Sequence, residues 1–316
     1  MKRARNRRAS APTSRKPGAP GPGAALTVGI VGPGRAGLGL ALALTRAGVR
    51  VLGVHGRHRK PVPRGVKLTA DGAPPWLREA DVVILAVRDD ALRPLVSQLA
   101  EAGGLAHGQV ALHLSGALTH DVLEPLAAEG AALGSMHPLM TVSEEPGRAS
   151  QHFKGACFAL EGDLAAVAAA DAITRRLGAV PAFIAPEAKA AYHAGAVFAS
   201  NYVLACLATA ERLLEDAGMS RESARAALLP IARATVDNVG RLGPAAALTG
   251  PIARGDVETV RKHLRAVPPE VAALYEALGR ATLAIARHAG LETAKAEAVG
   301  RALGVGVESV QRNAGG

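Results

Sequence analysis

Between Lys189 and Tyr202 the chain reads KAAYHAGAVFASNY, an apolar run carrying four side chains able to do chemistry. At 100° per residue, Lys189, His193 and Ser200 fall within about 40° of one another on a helix. Asn201 lies about 80° round from His193, on the shoulder of that stripe. Polar groups on one line of an Ala/Val/Phe helix are costly to bury unless they face a cavity or partners. His193 or Lys189 suits proton donation, and Ser200 and Asn201 suit holding a small polar molecule. The competing reading is a satisfied network joining two domains.

A second stretch has spacing that matters. Thr27–Val31 is β-rich, Gly32-Pro33-Gly34-Arg35-Ala36-Gly37 follows, then an apolar helical segment to Ala47-Gly48 and a second strand over residues 49–54. This is G-x-G-x-x-G between a strand and a helix, the setting in which the motif binds a dinucleotide. Gly32 permits the turn, Gly34 lets backbone approach a pyrophosphate, and Gly37 lets the helix pack on the sheet. The helix N-terminus, with Arg35 and Ala36, offers free N–H groups to phosphate. The second strand ends in His55-Gly56-Arg57-His58-Arg59-Lys60, without an acid. An acid there would bind the ribose hydroxyl of NAD, whereas arginine accommodates the 2′-phosphate of NADP. Arg57, supported by His58 or Arg59, therefore points to NADP, with NAD as the alternative.

Other strand ends should line the same crevice. Ala86-Val87 ends a run, DVVILAV, apolar enough to be a parallel strand buried on both faces. Asp89 or Asp90 is placed to cap the helix after it. Ser115-Gly116 ends the next strand, with a small hydroxyl and a flexible glycine suited to the nicotinamide or the substrate. His137 ends another and is either a proton donor at the cleft or a residue fixing the turn before Pro138. Farther on, Thr249 offers a hydroxyl and Arg254 a bidentate carboxylate ligand, and Asp256 reads as a helix cap. The remaining histidines have no metal-ligand spacing, and no metal is expected.

These residues need elements to hold them. Strand candidates alternate with helices from Leu26 to about Ala185, which implies a doubly wound α/β domain. From Pro186 only long Ala/Leu-rich helical runs remain, over 187–217, 220–241, 256–266 and 269–289, broken by glycine and proline. The expected division is a disordered basic tail at 1–25, a Rossmann-type domain at 26–185 and an all-α substrate and dimerisation domain at 186–316.

Composition excludes several classes. The net charge of +10 is uneven: seven of the 37 Lys and Arg lie in the acid-free first 25 residues, leaving 30 against 27 acidic residues elsewhere. A nearly neutral body argues against a nucleic-acid surface. No apolar run of transmembrane length free of charge is expected, and no secretory h-region follows Arg7-Arg8. Cys157 and Cys206 have neither metal nor redox spacing and read as buried thiols of a cytoplasmic protein.

The segments GIVGPGRAGLGLALALTRAG, HLSGAL, SMHPLMTV, YHAGAVFASNY and ALTGPIARGD resemble bacterial proteins that pair a Rossmann-like domain with a helical domain of unknown function. That group is similar in layout to pyrroline-5-carboxylate reductases, ketopantoate reductases and β-hydroxyacid dehydrogenases. The resemblance implies NAD(P)-dependent reduction of a small oxo acid or cyclic imine, in a homodimer built through the helical domain. Where β-hydroxyacid dehydrogenases and ketopantoate reductases carry Lys-x-x-x-Asn, this chain has His193 four residues after Lys189. Two alternatives stand beside a reductase: a non-catalytic NADP-binding sensor or interaction protein, and a prephenate-dehydrogenase-like enzyme, which the His137-Pro138 pair suggests.

Overall fold

The computed structural model describes residues 26–59 and 61–305; the basic tail lies outside the described residues. The chain begins with β1 (Thr27–Val31), α1 (Arg35–Arg46) and β2 (Arg50–Gly56), as the glycine motif requires. There follow β3 (Leu68–Ala70), β4 (Val82–Leu85), α2 (Asp89–Glu101), β5 (Val110–His113), a 3-10 helix (His120–Glu129) and β6 (Ala132–Leu139). After α3 (Pro146–His152), β7 (Cys157–Gly162), α4 (Leu164–Arg176) and β8 (Val180–Phe183) complete an eight-stranded sheet in the order β3-β2-β1-β4-β5-β6-β7-β8. Every pairing is parallel except β6 with β7.

The doubly wound α/β expectation holds, and strand order reverses between β1 and β4. That is the switch point where such sheets open a crevice at their carboxyl ends. Apolar cores lie on both faces, one around Ile30, Leu40 and Phe158, the other around Trp76, Val83 and Leu123. β1 and β4 start in step because the Asp81 carboxylate accepts from the Thr27 amide at 2.8 Å and from its hydroxyl at 2.7 Å.

The helical part comprises α5 (Lys189–Ala199), α6 (Asn201–Asp216), α7 (Arg221–Ala247), α8 (Pro251–Arg254), α9 (Val257–Ala266), α10 (Pro269–His288) and α11 (Thr293–Ala302). α7 is kinked at Gly243, where φ is +77° before Pro244. The described residues form two compact units, one ending at Ser200 and the other starting at Asn201. The division therefore falls after α5 rather than at Pro186, because Lys189 is tied to β6 and β7. The second unit has its own core around Val260, Leu283 and Leu303.

Two expectations are corrected here. The Lys189–Asn201 stretch is not one helix: Ser200, at φ −125° and ψ −70°, separates α5 from α6, so the wheel that aligned Ser200 and Asn201 with His193 does not run through. Secondly, Pro186–Asp216 is apolar and long enough by composition to cross a membrane, with mean hydropathy 1.2 and none of the window buried. Residues 190–210 contain no Asp, Glu, Lys or Arg, which the expectation of no such run overlooked. α5 nevertheless packs as part of the sheet-bearing unit.

Candidate functional site

The glycine turn has the conformation its sequence demands. Gly32 sits at φ +114°, and a Cβ there would stand 2.3 Å from the Ala86 carbonyl oxygen. A Cβ on Gly37 would stand 2.0 Å from the Gly32 carbonyl oxygen, so α1 packs against the turn as closely as a glycine allows. Gly34 differs: its Cβ would meet nothing nearer than 3.9 Å, leaving open space above the first turn of α1. No side chain caps that helix and its first turn holds no acid, so its leading N–H groups are left for an anion. Arg35 is exposed and pairs with exposed Glu144 at 3.5 Å, an interaction worth little in water. These residues fit a dinucleotide pyrophosphate.

Ala86 is buried, donates to the Val31 carbonyl at 2.7 Å and walls the turn; Val87 is half-buried beside it. Arg57 and His58 are exposed just past β2. Gly56, the last residue of that strand, touches the turn, since a Cβ there would stand 2.5 Å from Pro33 Cγ. An acid does lie close by: Asp71, at φ +68°, follows Ala70, the register partner of Gly56. The expected cap on α2 is not there: Arg88 holds the N-cap position, and Asp89 and Asp90 occupy the first turn.

Two strands over from β1, roughly 10 Å at ordinary strand spacing, the loop after β5 is held by a buried histidine. His113 Nδ1 accepts from the Ser115 amide at 3.1 Å, and Nε2 faces the Thr119 carbonyl at 3.1 Å. One nitrogen accepts and the other donates, so the neutral ring is required. Burial, then the nearby Lys189 charge, lowers its pKa to about 4. The Ser115 hydroxyl accepts from the Ala117 and Leu118 amides at 3.2 and 3.0 Å, so its oxygen serves the loop rather than a ligand.

That loop presents Gly116 to two imidazoles. A Cβ on Gly116 would stand 2.5 Å from His193 Nδ1 and 2.8 Å from His137 Nε2. The two rings meet edge to face, with centroids 5.9 Å apart. His137 Nδ1 is 2.8 Å from the Tyr192 hydroxyl, while His193 Nδ1 is sealed from solvent with no hydrogen-bond partner. Burial, followed by the charges at His193 and Lys189, lowers the His137 pKa to about 4. Burial raises that of Tyr192 to about 12, so its phenol keeps its proton at neutral pH. His137 lies within β6, not in a turn before Pro138, so the turn-fixing reading is withdrawn.

Lys189 is not at an open surface. Its side chain is 1% exposed, and its ammonium donates to the Ser135 hydroxyl and, at 2.8 Å, to Glu161 Oε1. An enclosed ammonium held by a hydroxyl and a carboxylate is badly placed to protonate a substrate. Glu161 was not singled out from the sequence; the signal was an acid closing the apolar run Cys157-Phe-Ala-Leu160. Among the described residues no three His, Cys, Asp or Glu side chains are grouped to hold a metal ion. Cys157 and Cys206 are unpaired and half-buried rather than buried.

Asn201 opens the second unit, and the Ser200 hydroxyl donates to the Ala196 carbonyl at 2.9 Å. Thr249 and Arg254 are exposed in the second unit. There Arg254 lines a cavity of about 530 Å³ with Glu292 and Lys295. Asp256 caps α9 as expected, accepting from the Thr259 amide at 3.0 Å.

Sheet order, glycine turn and helical half define a Rossmann-like chain with a C-terminal helical domain. The comparisons agree: residues 22–138 match the model of a Rossmann-like domain, and residues 156–282 that of a domain of unknown function, DUF2520. No curated protein matches by sequence. Among solved structures, a Bacteroides fragilis protein proposed to be an NADP oxidoreductase is 25% identical, with a TM-score of 0.64, over 82% of this chain and 98% of its own. An Aspergillus terreus reductive aminase in complex with NADPH is 17% identical (TM-score 0.54; 90% and 95% covered). A Plasmodium falciparum pyrroline carboxylate reductase with NADP bound is 14% identical (TM-score 0.51; 89% and 98% covered).

Proposed function

We propose that this protein is an NADPH-dependent reductase of a small oxo acid or cyclic imine. The observation that carries the reading is the convergence of His137 and His193 on Gly116, at the carboxyl end of the sheet that starts with the glycine turn. Similar structures, an NADP oxidoreductase candidate and two enzymes with NADP or NADPH bound, support it. Gly32–Gly37 would hold the pyrophosphate, Arg57 and His58 the 2′-phosphate, and Ala86, Val87 and Gly116 the way to the nicotinamide. When bound, the reduced nicotinamide supplies a hydride to the C=O or C=N carbon.

His193 supplies the proton from Nε2, the ring nitrogen not sealed against Gly116, to the substrate oxygen or nitrogen. With Tyr192 donating to His137 Nδ1, a neutral His137 keeps its own proton on Nε2, on the side of Gly116 where His193 Nδ1 also lies. The proton that His193 gives up is restored from solvent once product has left. Lys189 is left out of this step, in contrast to its sequence-based candidacy. Ser200 and Asn201 remain candidates for orienting the substrate, and Thr249 and Arg254 for binding it. A second copy is proposed to cover exposed apolar residues of α6 and α7, among them Leu204, Ile231 and Val236. The unpaired cysteines suit a cytoplasmic setting.

The test is NADPH oxidation, followed by absorbance, with ketopantoate, pyrroline-5-carboxylate and related oxo acids. Consumption that His193→Ala lowers by about 10²–10⁴-fold, with NADPH affinity retained, is the expected result. Turnover unchanged in that variant refutes the assignment. NADPH binding without turnover of any oxo acid or imine would favour the sensor reading.

A further inference from the structure

A row of buried polar side chains lies beneath the two histidines and takes no part in the proton step. His113, Ser135 and Glu161 are register partners on β5, β6 and β7, so they share one face of the sheet. They are respectively 0%, 1% and 2% exposed. Glu161 spends both carboxylate oxygens there: Oε1 accepts from Lys189 at 2.8 Å, and Oε2 lies 2.7 Å from His120 Nδ1. Burial alone would raise the Glu161 pKa, yet the Lys189 hydrogen bond and charge hold it below the usual carboxylate range. Lys189 is the first residue of α5, and His193 sits one turn later on the same helix.

Buried ion pairs are poor stabilisers, because desolvation offsets the attraction, and packed apolar residues often do as well. A buried pair that joins α5 to the sheet, and takes no part in the proton step, calls for another use. We propose that Glu161 is a positioning residue: acting through Lys189, it pins the start of α5 to β6 and β7 and so sets the His193 ring against Gly116 and His137. The inference rests on the reductase reading only for its catalytic consequence; the geometry it asserts can be measured without substrate or cofactor.

The experiment uses the full chain and two variants, Glu161→Gln and the double variant Lys189→Met/Glu161→Leu. The double variant removes both charges and is expected to unfold at a denaturant concentration close to that of the wild type. His193 acylation by diethyl pyrocarbonate, read by mass spectrometry, should be about tenfold faster in both variants as α5 loosens at its start. The His137 ring titration, read by NMR, should also move. Its facing groups are Tyr192, His193 and Lys189, and the Lys189 charge opposes its protonation, so its midpoint rises from about 4 when that charge is removed. Should Glu161→Gln fail to fold, the double variant carries both readouts. Wild-type acylation in a stably folded double variant, whatever the His137 titration does there, would overturn the proposal and leave a merely structural pair. A chain that oxidises no substrate but shows both changes would refute the reductase and keep the positioning role.

Discussion

The chemistry narrows to a few atoms around Gly116. A methyl group there would enter the space of His193 Nδ1 and His137 Nε2, so Gly116→Ala must push at least one ring aside. Displacing a reacting group by about 1 Å can cost on the order of 10²-fold in rate. Gly116→Ala is therefore expected to lose turnover on that scale while unfolding within about 1–3 kcal/mol of the wild type, checked by NADPH oxidation and urea denaturation. His193 was readable in the sequence as a polar residue on an apolar helix, and His137 as a histidine at a strand end. Their meeting was not, because it depends on a loop held by His113, on β5, and a helix held by Glu161, on β7. Lys189 shows the opposite failure. Its type and spacing suggested catalysis, but its partner stands 28 residues away, beyond the reach of helical spacing.

At the scale of elements, the strand–turn–helix at Gly32–Gly37 was the most legible part, because its demands are local: one positive φ, one close approach and one uncapped helix. The glycines should separate by role. Gly37→Ala drives a methyl into the Gly32 carbonyl and should cost about 1–3 kcal/mol or more of stability. Gly34→Ala meets open space and should stay within about 1 kcal/mol of wild type. It should still weaken NADPH, whose pyrophosphate would need that space; denaturation and calorimetry on the same samples check both halves. The antiparallel turn into β7, the 3-10 helix over His120–Glu129 and the short α3 and α11 escaped sequence reading. Short elements offer too few periods for a pattern, and strand direction leaves no mark in side-chain alternation. The break at Ser200 escaped because nothing in Phe198-Ala-Ser-Asn marks a stop, with neither glycine nor proline present.

At the scale of the whole molecule, buried neutral histidines tie stability to pH. His113 and His137 both titrate near 4 in the folded chain, against 6.5 for the free side chain. The unfolded state therefore binds more protons between those values, so the stability these rings confer is full above pH 6.5 and is lost as pH falls towards 4. The loss amounts to at most roughly 3 kcal/mol per histidine, with fully buried His113 expected to account for the larger part. Urea unfolding at pH 7.5 and at pH 4.5 measures it, and His113→Gln should flatten the dependence. An NADPH-dependent reductase must first bind NADPH, and calorimetric titration of the full chain with NADPH and with NADH reads this directly. Saturable binding that favours NADPH, with the preference lost in Arg57→Ala, is the predicted result; no heat from either nucleotide contradicts the assignment.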